Sequence, residues 1–323
     1  MLPLRLVPPG INIGFMRMRF GAYVVSAILM VASLASFAIQ GLNFGIDFTG
    51  GTLIEVRTEQ PANIAEMRST ISDLGLGSVA LQEFGAPTDV LIRLQQQPGD
   101  EQAQIAAIEQ VKLALGDAVE YRRVEYVGPQ VGSELIRSGF MAIAFALVAI
   151  LVYISFRFEW QFGLGAVVAL LHDIILTVGI FSLTQIEFNL STVAAVLTII
   201  GYSINDTVVV FDRVRENLRR YKSLPTIDIL NRSINDTLSR TVLTSITTLL
   251  ALLSLYILGG EVIRGFTFAM IWGVLIGTYS SVWIAVPVLL HMGLRPGTGQ
   301  AQDSEKPESQ KPGGASVPGT TAS

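Results

Sequence analysis

Residues 201–216 read Gly-Tyr-Ser-Ile-Asn-Asp-Thr-Val-Val-Val-Phe-Asp-Arg-Val-Arg-Glu and place one carboxylate, Asp206, in an uncharged apolar segment that begins near Leu190. An isolated charge in lipid hydrocarbon costs about 3 kcal/mol or more, so such groups usually face a protein interior or a watery path. Asp206 can therefore serve as a proton carrier or as the partner of a buried cation. A hydrogen-bond anchor between helices is the structural alternative.

The whole chain has the composition of a membrane protein. Of its 323 residues, 50% are hydrophobic and 15% are charged, and the mean hydropathy is +0.53. Ordinary globular domains carry about 25% charged residues. The absence of Cys excludes disulfides and thiolate metal sites. No basic and aromatic patch indicates nucleic-acid binding.

Crossing a bilayer takes about 20 mostly apolar residues, and basic residues in short loops mark the cytoplasmic side. Basic residues precede the first apolar segment, occur at Arg157 and crowd the stretch 213–232. Alternation therefore predicts cytoplasmic termini and an external loop 184–189, with Arg264 as the dissenting charge. The six predicted spans are 20–40, 137–156, 162–183, 190–211, 240–258 and 265–291.

The first span could instead be a cleaved signal peptide, because Ser36-Phe37-Ala38 resembles a small-residue cleavage site. Its apolar stretch of about 20 residues exceeds the usual signal core of 7–15 residues. Cleavage would also remove one membrane anchor of the segment that follows. We therefore predict an uncleaved anchor.

The segment 41–136 between the first two spans is predicted to be an external α+β domain. Its order β-α-β-β-α-β is typical of the ferredoxin-like arrangement. The segment lacks His, Cys and a phosphate-binding glycine loop, which favours a binding or lever module without metal or cofactor. The predicted strands are 52–58, 78–84, 89–94 and 119–127; the helices are 61–74 and 100–115; a turn is expected at Gly85-Ala-Pro87; the core positions are Val79, Leu81, Ile105, Ile108 and Val111.

The remaining parts of the chain complete a polytopic α-helical membrane protein with six transmembrane helices. A tail rich in Pro, Gly, Ser, Gln and Glu is predicted to be disordered. The predicted domains are the cytoplasmic N-terminus 1–19, the first helix 20–40, the external domain 41–136, the five-helix bundle 137–292 and the cytoplasmic tail 293–323.

Four local motifs resemble a known family. Asn43-Phe-Gly-Ile-Asp-Phe-Thr-Gly-Gly51 follows the first span, and His172-Asp173 lies in the third. The stretch 201–216 lies in the fourth span, and Ser239-Arg240-Thr241 begins the fifth. Together with the topology they make residues 12–292 similar to the SecF family, the smaller half of the bacterial SecD–SecF translocase pair in the resistance–nodulation–division superfamily.

The resemblance implies a secretion accessory of the bacterial cytoplasmic membrane, with no hydrolytic chemistry and no cofactor. The family works with SecD beside the SecYEG channel, and YajC and YidC are further implied partners. It uses the proton motive force to promote export and the release of exported chains. Its intramembrane acids couple protons to movement of the external domain, which holds or pulls the emerging polypeptide.

Polar residues around Asp206 predict a proton route. On a helix they would give hydrogen-bonding groups about every turn. Arg240 begins the next span from the same side, so antiparallel neighbours could bring it to Asp206. Burial favours the neutral form of a carboxyl group, whereas a nearby cation favours its charged form. A helix shift that separates Asp206 from Arg240 would therefore favour proton uptake by Asp206. The predicted polar stripe comprises Thr198, Tyr202, Ser203 and Asn205.

The His172–Asp173 pair is open to two interpretations, a proton relay and a hydrogen-bond cluster that fixes the third span. Asp47 lies beside glycines that permit unusual backbone angles. It is interpreted either as part of a hinge below the external domain or as a cap on local amides. The hinge glycines are Gly45, Gly50 and Gly51.

Two sequence features have simpler interpretations. Gly273 and Gly277 are spaced for close helix packing, and with the fourth span they are candidate contacts with SecD. Ser-Ile-Asn-Asp-Thr occurs at 203–207 and again at 233–237, which is interpreted as coincidence.

Two functions other than a proton-driven translocase subunit are also compatible with part of the sequence. A half-transporter for small molecules shares the proton chemistry but needs a substrate portal in the external region. An intramembrane aspartyl protease could use Asp173 and Asp206, but the Gly-x-Gly-Asp motif is missing and Arg240 would have no role.

Overall fold

The computed structural model describes residues 8, 11–77, 79–99, 101–116, 119–260 and 263–294. Most of the predicted tail 293–323 lies outside this part of the chain. In chain order the elements are α1 (Phe15–Gln40), α2 (Ile46–Thr49), β1 (Gly51–Thr58), α3 (Ile64–Ser72), β2 (Val79–Phe84), β3 (Ala86–Leu94), α4 (Glu101–Leu115), β4 (Val119–Val127), α5 (Pro129–Arg157), α6 (Trp160–Thr184), α7 (Leu190–Arg220), α8 (Thr226–Leu258), α9 (Arg264–Ser280), a π-helical turn (Ser281–Ala285) and α10 (Val286–His291).

In the described part of the chain six helical segments are long and apolar enough to cross a membrane, as predicted; the last runs from α9 to α10. The interior of the bundle is formed by α6, α7 and the span from α9 to α10, with 56%, 50% and 61% of the residues in their most apolar stretches buried. The corresponding fractions for α1, α5 and α8 are 6%, 6% and 17%. These outer helices therefore present most of their surface to the surroundings.

Small residues let the inner helices approach closely. A Cβ added to Gly273 of α9 would collide with Ile199 of α7, and one added to Gly277 would lie 3.1 Å from Cβ of Ser203. Both glycines are buried in this contact. The prediction that the Gly273/Gly277 face contacts a partner is therefore wrong, because α7 of the same chain already occupies it.

The first span packs on the third, although the two are far apart in the sequence. Gly179 of α6 has no side chain, and Ser33 of α1 occupies the space that a Cβ there would need. One turn further on each helix, the hydroxyls of Ser36 and Ser182 lie 2.9 Å apart. The two helices are thus held by a small-residue contact and a hydrogen bond within the bilayer.

The helices α7 and α8 extend well beyond the apolar stretches predicted from the sequence. The fourth helix continues from residue 211 to Arg220, and the fifth begins at Thr226 rather than at residue 240. Hydropathy locates only the part of a helix that lies in hydrocarbon. Both extensions carry charged side chains, and they pair with each other outside the apolar region.

The external domain has the predicted βαββαβ order. Its strands form one antiparallel sheet in the order β2-β3-β1-β4. The predicted turn at Gly85-Ala-Pro87 contracts to Gly85, whose φ of 85° suits glycine, and Ala86 and Pro87 belong to β3. The helix α3 starts at Ile64 because Asn63 caps it, its side chain accepting a bond from the amide of Glu66.

The domain core matches the predicted positions except on α4. Leu81 and Val111 are buried, and Val79 and Ile108 pack against the same cluster. Ile105, however, is 49% exposed, so its assignment to the core is wrong. The residue that takes the inward position is Gln104, which is buried because its side chain bonds both the amide and the carbonyl of Gln97 at 3.0 and 2.7 Å.

We expect a purified fragment 41–136 to fold without added metal and to lose stability in acid. Arg57 donates two hydrogen bonds of 2.5 and 2.6 Å to Asp89, and these bonds hold the pKa of that carboxyl below its ordinary value of 3.8. A lowered pKa stabilises the fold above the unfolded-state pKa, and the stabilisation is lost as the pH falls through the folded-state value. The urea concentration at the midpoint of unfolding should therefore be constant from about pH 7 to 5 and should decrease at pH values below about 4.

The matched control is Arg57→Gln, which removes the guanidinium. In this variant the loss of stability at low pH should be smaller, because Asp89 no longer contributes to it. A fragment that requires metal for folding, or a variant with an unchanged decline, would contradict this account of the domain.

Candidate functional site

The N-terminal end of α7 is fixed by Asn189, its N-cap, and by Asp47 of α2. Asn189 forms a capping box with Thr192, and the carboxylate of Asp47 accepts a 2.8 Å hydrogen bond from the amide of Leu190. Asp47 was predicted to act in a hinge or to cap local amides. The amide that it caps is not local but belongs to a helix that begins 143 residues later, and Asp47 so joins the segment after the first span to the fourth span.

The glycines around Asp47 permit close approach between this segment and its neighbours. A Cβ on Gly45 would lie 2.5 Å from Glu187 Oε1, and one on Gly51 would lie 2.6 Å from the carbonyl oxygen of Leu94. Gly50 and Gly51 also have φ values of 70° and 118°, which disfavour other residues. These contacts explain the glycines as packing requirements, and the hinge stays a prediction.

Asp173 is the centre of a hydrogen-bond cluster that joins the three inner helices. Its Oδ2 accepts bonds of 2.7 Å from Ser203 of α7 and 2.8 Å from Ser280 of α9. Its Oδ1 lies 3.0 Å from Nδ1 of His172. The residue is 1% exposed, so the cluster satisfies a carboxyl group that would be costly to leave alone in the bilayer.

His172 occupies the edge of the same cluster. Its ring stacks on that of Tyr279, with the centroids 6.0 Å apart. The second ring nitrogen, Nε2, is buried and has no hydrogen-bond partner among the described residues. A ring with one nitrogen against a carboxylate and the other unpartnered can exchange a proton, and it can equally serve as packing. Both interpretations of the pair therefore stand.

Asp206 lies one turn beyond Ser203 on α7 and is 3% exposed. Its Oδ1 receives a long bond of 3.5 Å from the hydroxyl of Thr244 on α8. Its Oδ2 is buried without a hydrogen-bond partner in the described part of the chain. Buried polar groups are normally satisfied, and exceptions call for a functional explanation. Asp206 is thus less well satisfied than Asp173.

Arg240 is close enough to Asp206 to interact with it electrostatically, but it is exposed. Among the described residues, no ion pair within 4.0 Å joins the two side chains. Their direct pairing therefore stays a prediction for another arrangement of α7 and α8.

The residues of the predicted polar stripe are distributed over several faces of α7. Ser203 points into the Asp173 cluster, and the hydroxyl of Tyr202 donates a 3.2 Å bond to Thr248 of α8. Thr198 and Asn205 are exposed. Ser203 therefore links the helix of Asp206 to Asp173, while Thr198 and Asn205 lie on a surface that this chain leaves open.

Three contributors were absent from the predicted site: Thr244, Tyr279 and Ser280. A signal for two of them was present, because Tyr279 and Ser280 are adjacent polar residues in an apolar span. The helix widens into its π-helical turn directly after Ser280, and such turns are frequent at functional sites. The sequence did not distinguish Thr244 from its neighbours, because hydroxyl groups that bond their own helix are common in membrane spans.

The arrangement suits proton movement. Two buried carboxyl groups lie on facing inner helices, and Ser203, three residues before Asp206, bonds the other carboxyl, Asp173. Within the described ranges, no group of three or more His, Cys, Asp or Glu residues is placed to hold a metal ion.

Two protein-family models match the chain. The model described as "Protein export membrane protein SecD/SecF, C-terminal" matches residues 107–295, which include both buried carboxyl groups. The model described as "SecD/SecF GG Motif" matches residues 35–62, which include Asp47 and its glycines.

Relatives with the same description match along almost the whole chain. The chain is 50% identical over 291 residues to "Protein translocase subunit SecF" of Rickettsia felis, which covers 89% of this chain and 94% of the relative. The protein of that description from Rickettsia rickettsii gives the same values.

Solved structures give a similar result. The crystal structure of SecDF from Thermus thermophilus, described as a translocon-associated membrane protein, matches with a TM-score of 0.79 at 36% identity and covers 88% of this chain. SecDF in a super-membrane-facing form matches with a TM-score of 0.65, also at 36% identity, and covers 90%. The chain spans only 39% and 40% of these two SecDF chains.

Proposed function

The chain belongs to the SecF family of protein translocase subunits, and we propose that it uses the proton gradient, together with a partner of the SecD type, to promote protein export. It does so in the bacterial cytoplasmic membrane with both termini in the cytoplasm. The chain acts as a subunit that moves, and no step requires hydrolysis. The SecYEG channel, YajC and YidC are the further proposed neighbours.

The single observation that carries the proposal is the buried carboxyl group of Asp206 with one unpartnered oxygen. A charged carboxylate in this position is costly, and protonation removes the cost. Proton uptake and release therefore change the free energy of the contact between α7 and α8. One proton crossing the membrane supplies about 2.3 kcal/mol per 100 mV, which is enough to shift a two-state equilibrium.

The link from Asp206 to the external domain runs along α7. At its external end α7 is capped by Asp47, which directly precedes the sheet of the external domain. The ion pair between Arg93 of β3 and Glu187 gives a second connection between the sheet and the loop before α7. A displacement of α7 would thus act on the external domain at two points.

A partner of the SecD type is supported by the matched SecDF structures and by exposed residues. The matched SecDF chains are more than twice as long as the part that this chain matches. The hydroxyl of Thr198 bonds the carbonyl of Ala194 in its own helix, but the exposed side-chain amide of Asn205 also lies within the apolar part of α7. Such groups in a bilayer need partners, and a second subunit of like topology would provide them.

The proposal is tested by reconstituting the chain into proteoliposomes, alone and with its SecD partner. Gradient-coupled proton movement and gradient-dependent export through SecYEG are expected only when both subunits are present. Proton coupling by the chain alone would contradict the two-subunit proposal. Sensitivity of a deletion strain to particular compounds, without an export defect, would favour the small-molecule transporter instead.

A further inference from the structure

The second Ser-Ile-Asn-Asp-Thr segment, residues 233–237, contacts two other helices. It lies on the cytoplasmic extension of α8, whereas the first copy, residues 203–207, carries Asp206. The sequence alone assigns no role to this second copy. In the structure its side chains hold α7 on one side and the start of α1 on the other.

The contact with α7 is made by Ser233 and Asp236. Asn217 donates bonds of 3.0 Å to the Ser233 hydroxyl and 3.1 Å to the Asp236 carboxylate. Arg213 donates a 2.8 Å bond to the same carboxylate. Arg213 lies two helical turns beyond Asp206, so the helix that carries the candidate proton site is fixed to α8 at its cytoplasmic end.

The contact with α1 is made by Asn231 and Asn235, here called the asparagine clamp. Asn235 accepts a 2.8 Å bond from the amide of Ile13 and donates a 2.9 Å bond to its carbonyl. Asn231 accepts a 3.2 Å bond from the amide of Met16. The first amides of a helix need acceptors, and the N-cap of α1, Gly14, provides no side-chain bond. The clamp on α8 supplies acceptors instead.

These contacts tie α1 and the segment that follows it to the α7–α8 pair, one at each end of the membrane. At the cytoplasmic end the tie is the asparagine clamp, and at the external end it is the bond from the Leu190 amide to Asp47. Within the membrane α1 also packs on α6 and bonds Tyr279 of α9, but the asparagine clamp is its side-chain connection to the α7–α8 pair at the cytoplasmic end.

We propose that Asn231 and Asn235 are positioning residues that keep α1 joined to α8, so that a displacement of α7 is transmitted to α1 and through it to the external domain. This inference rests on the proposed proton-driven function. The alternative is a static anchor, whose loss would lower the amount of folded chain and affect all export equally.

Asn235→Ala in the full chain, with its SecD partner in inverted membrane vesicles, separates these possibilities. We expect gradient-dependent export to fall about fivefold, equivalent to the roughly 1 kcal/mol of two lost hydrogen bonds at about 0.5 kcal/mol each, while the amount of inserted chain and the gradient-independent export stay unchanged. Ser254→Ala is the matched control, because that hydroxyl on α8 bonds only its own helix, at the carbonyl of Leu250. An equal fall in both kinds of export would contradict the proposal, as would full activity.

A covalent substitute for the clamp gives a second measurement. The native chain contains no Cys, so Ile13→Cys with Asn235→Cys introduces one defined pair on the face that is accessible in inverted vesicles. We expect low gradient-dependent export when the pair is reduced and recovery when it is oxidised. An oxidised pair that stays inactive would show that α1 must separate from α8, and the inference would be overturned. If the unmodified chain shows no gradient dependence, the proposed function itself has failed.

Discussion

Asp206→Asn is expected to abolish the gradient-dependent part of protein export while leaving a folded, membrane-inserted chain. The substitution keeps the size of the side chain and its ability to accept the bond from Thr244, but removes the group that binds and releases a proton. One proton crossing 100 mV supplies about 2.3 kcal/mol, which corresponds to at most roughly fiftyfold in a rate. The measurement is the export rate in vesicles with and without a protonophore.

The control for this variant is Thr247→Ala on α8, because that hydroxyl is exposed, is not titratable and bonds carbonyls of its own helix. It should insert normally and keep its full response to the protonophore. Equal responses by the unmodified chain and Asp206→Asn would remove Asp206 from the mechanism. Asp206→Ala is a poorer test, because it also changes the packing of α7 on α8.

Asp173→Leu is expected to destabilise the helical bundle by about 2 kcal/mol. Three groups, on Ser203, Ser280 and His172, lose their partner at once. Individual hydrogen bonds in membrane proteins contribute on average about 0.6 kcal/mol, so three give roughly this sum. Resistance of the purified chain to a denaturing detergent measures the change.

Asp173→Asn is the matched variant, because it retains an acceptor oxygen and the shape of the side chain. It should keep most of the stability that Asp173→Leu loses. Its export activity then separates the two interpretations of the His172–Asp173 pair, because a relay requires the titratable group and a purely structural cluster does not. Unchanged stability in Asp173→Leu would mean that the cluster does not hold the inner helices together.

The helices and strands could be predicted because apolar runs and strand alternation are both local patterns in the sequence. Apolar runs predicted six helices, and strand alternation with turn residues predicted the βαββαβ domain. The error at Ile105 shows the limit: periodicity placed an isoleucine inward, whereas the hydrogen bonds between Gln104 and Gln97 could be known only from the tertiary structure. Likewise, the helical extensions of α7 and α8 are stabilised by each other rather than by lipid.

The candidate site was predictable in its residues and not in its connections. Asp173 and Asp206 are conspicuous because carboxylates are rare in apolar spans. The hydrogen-bond partner of each carboxylate could not be predicted, because serines and threonines are frequent in membrane spans and most of them bond their own helix. The predicted stripe assumed one face of α7, but Ser203 and Tyr202 contact different neighbouring helices. Asp47 likewise binds the distant amide of Leu190, a partner that no local pattern indicates.

The contact of α1 with α6 has a consequence for biosynthesis. The first span ends at Gln40, and the helix on which it packs does not begin until Trp160. A ribosome adding 5–20 residues per second needs roughly 6–24 s to make the intervening chain. During that interval Ser33 and Ser36 have no partner on α6, and in the proposed orientation the entire external domain crosses the membrane. The nascent first span must therefore remain in lipid or beside an insertion factor until α6 has been inserted. Its two serine hydroxyls lack their contacts with Gly179 and Ser182 during this time.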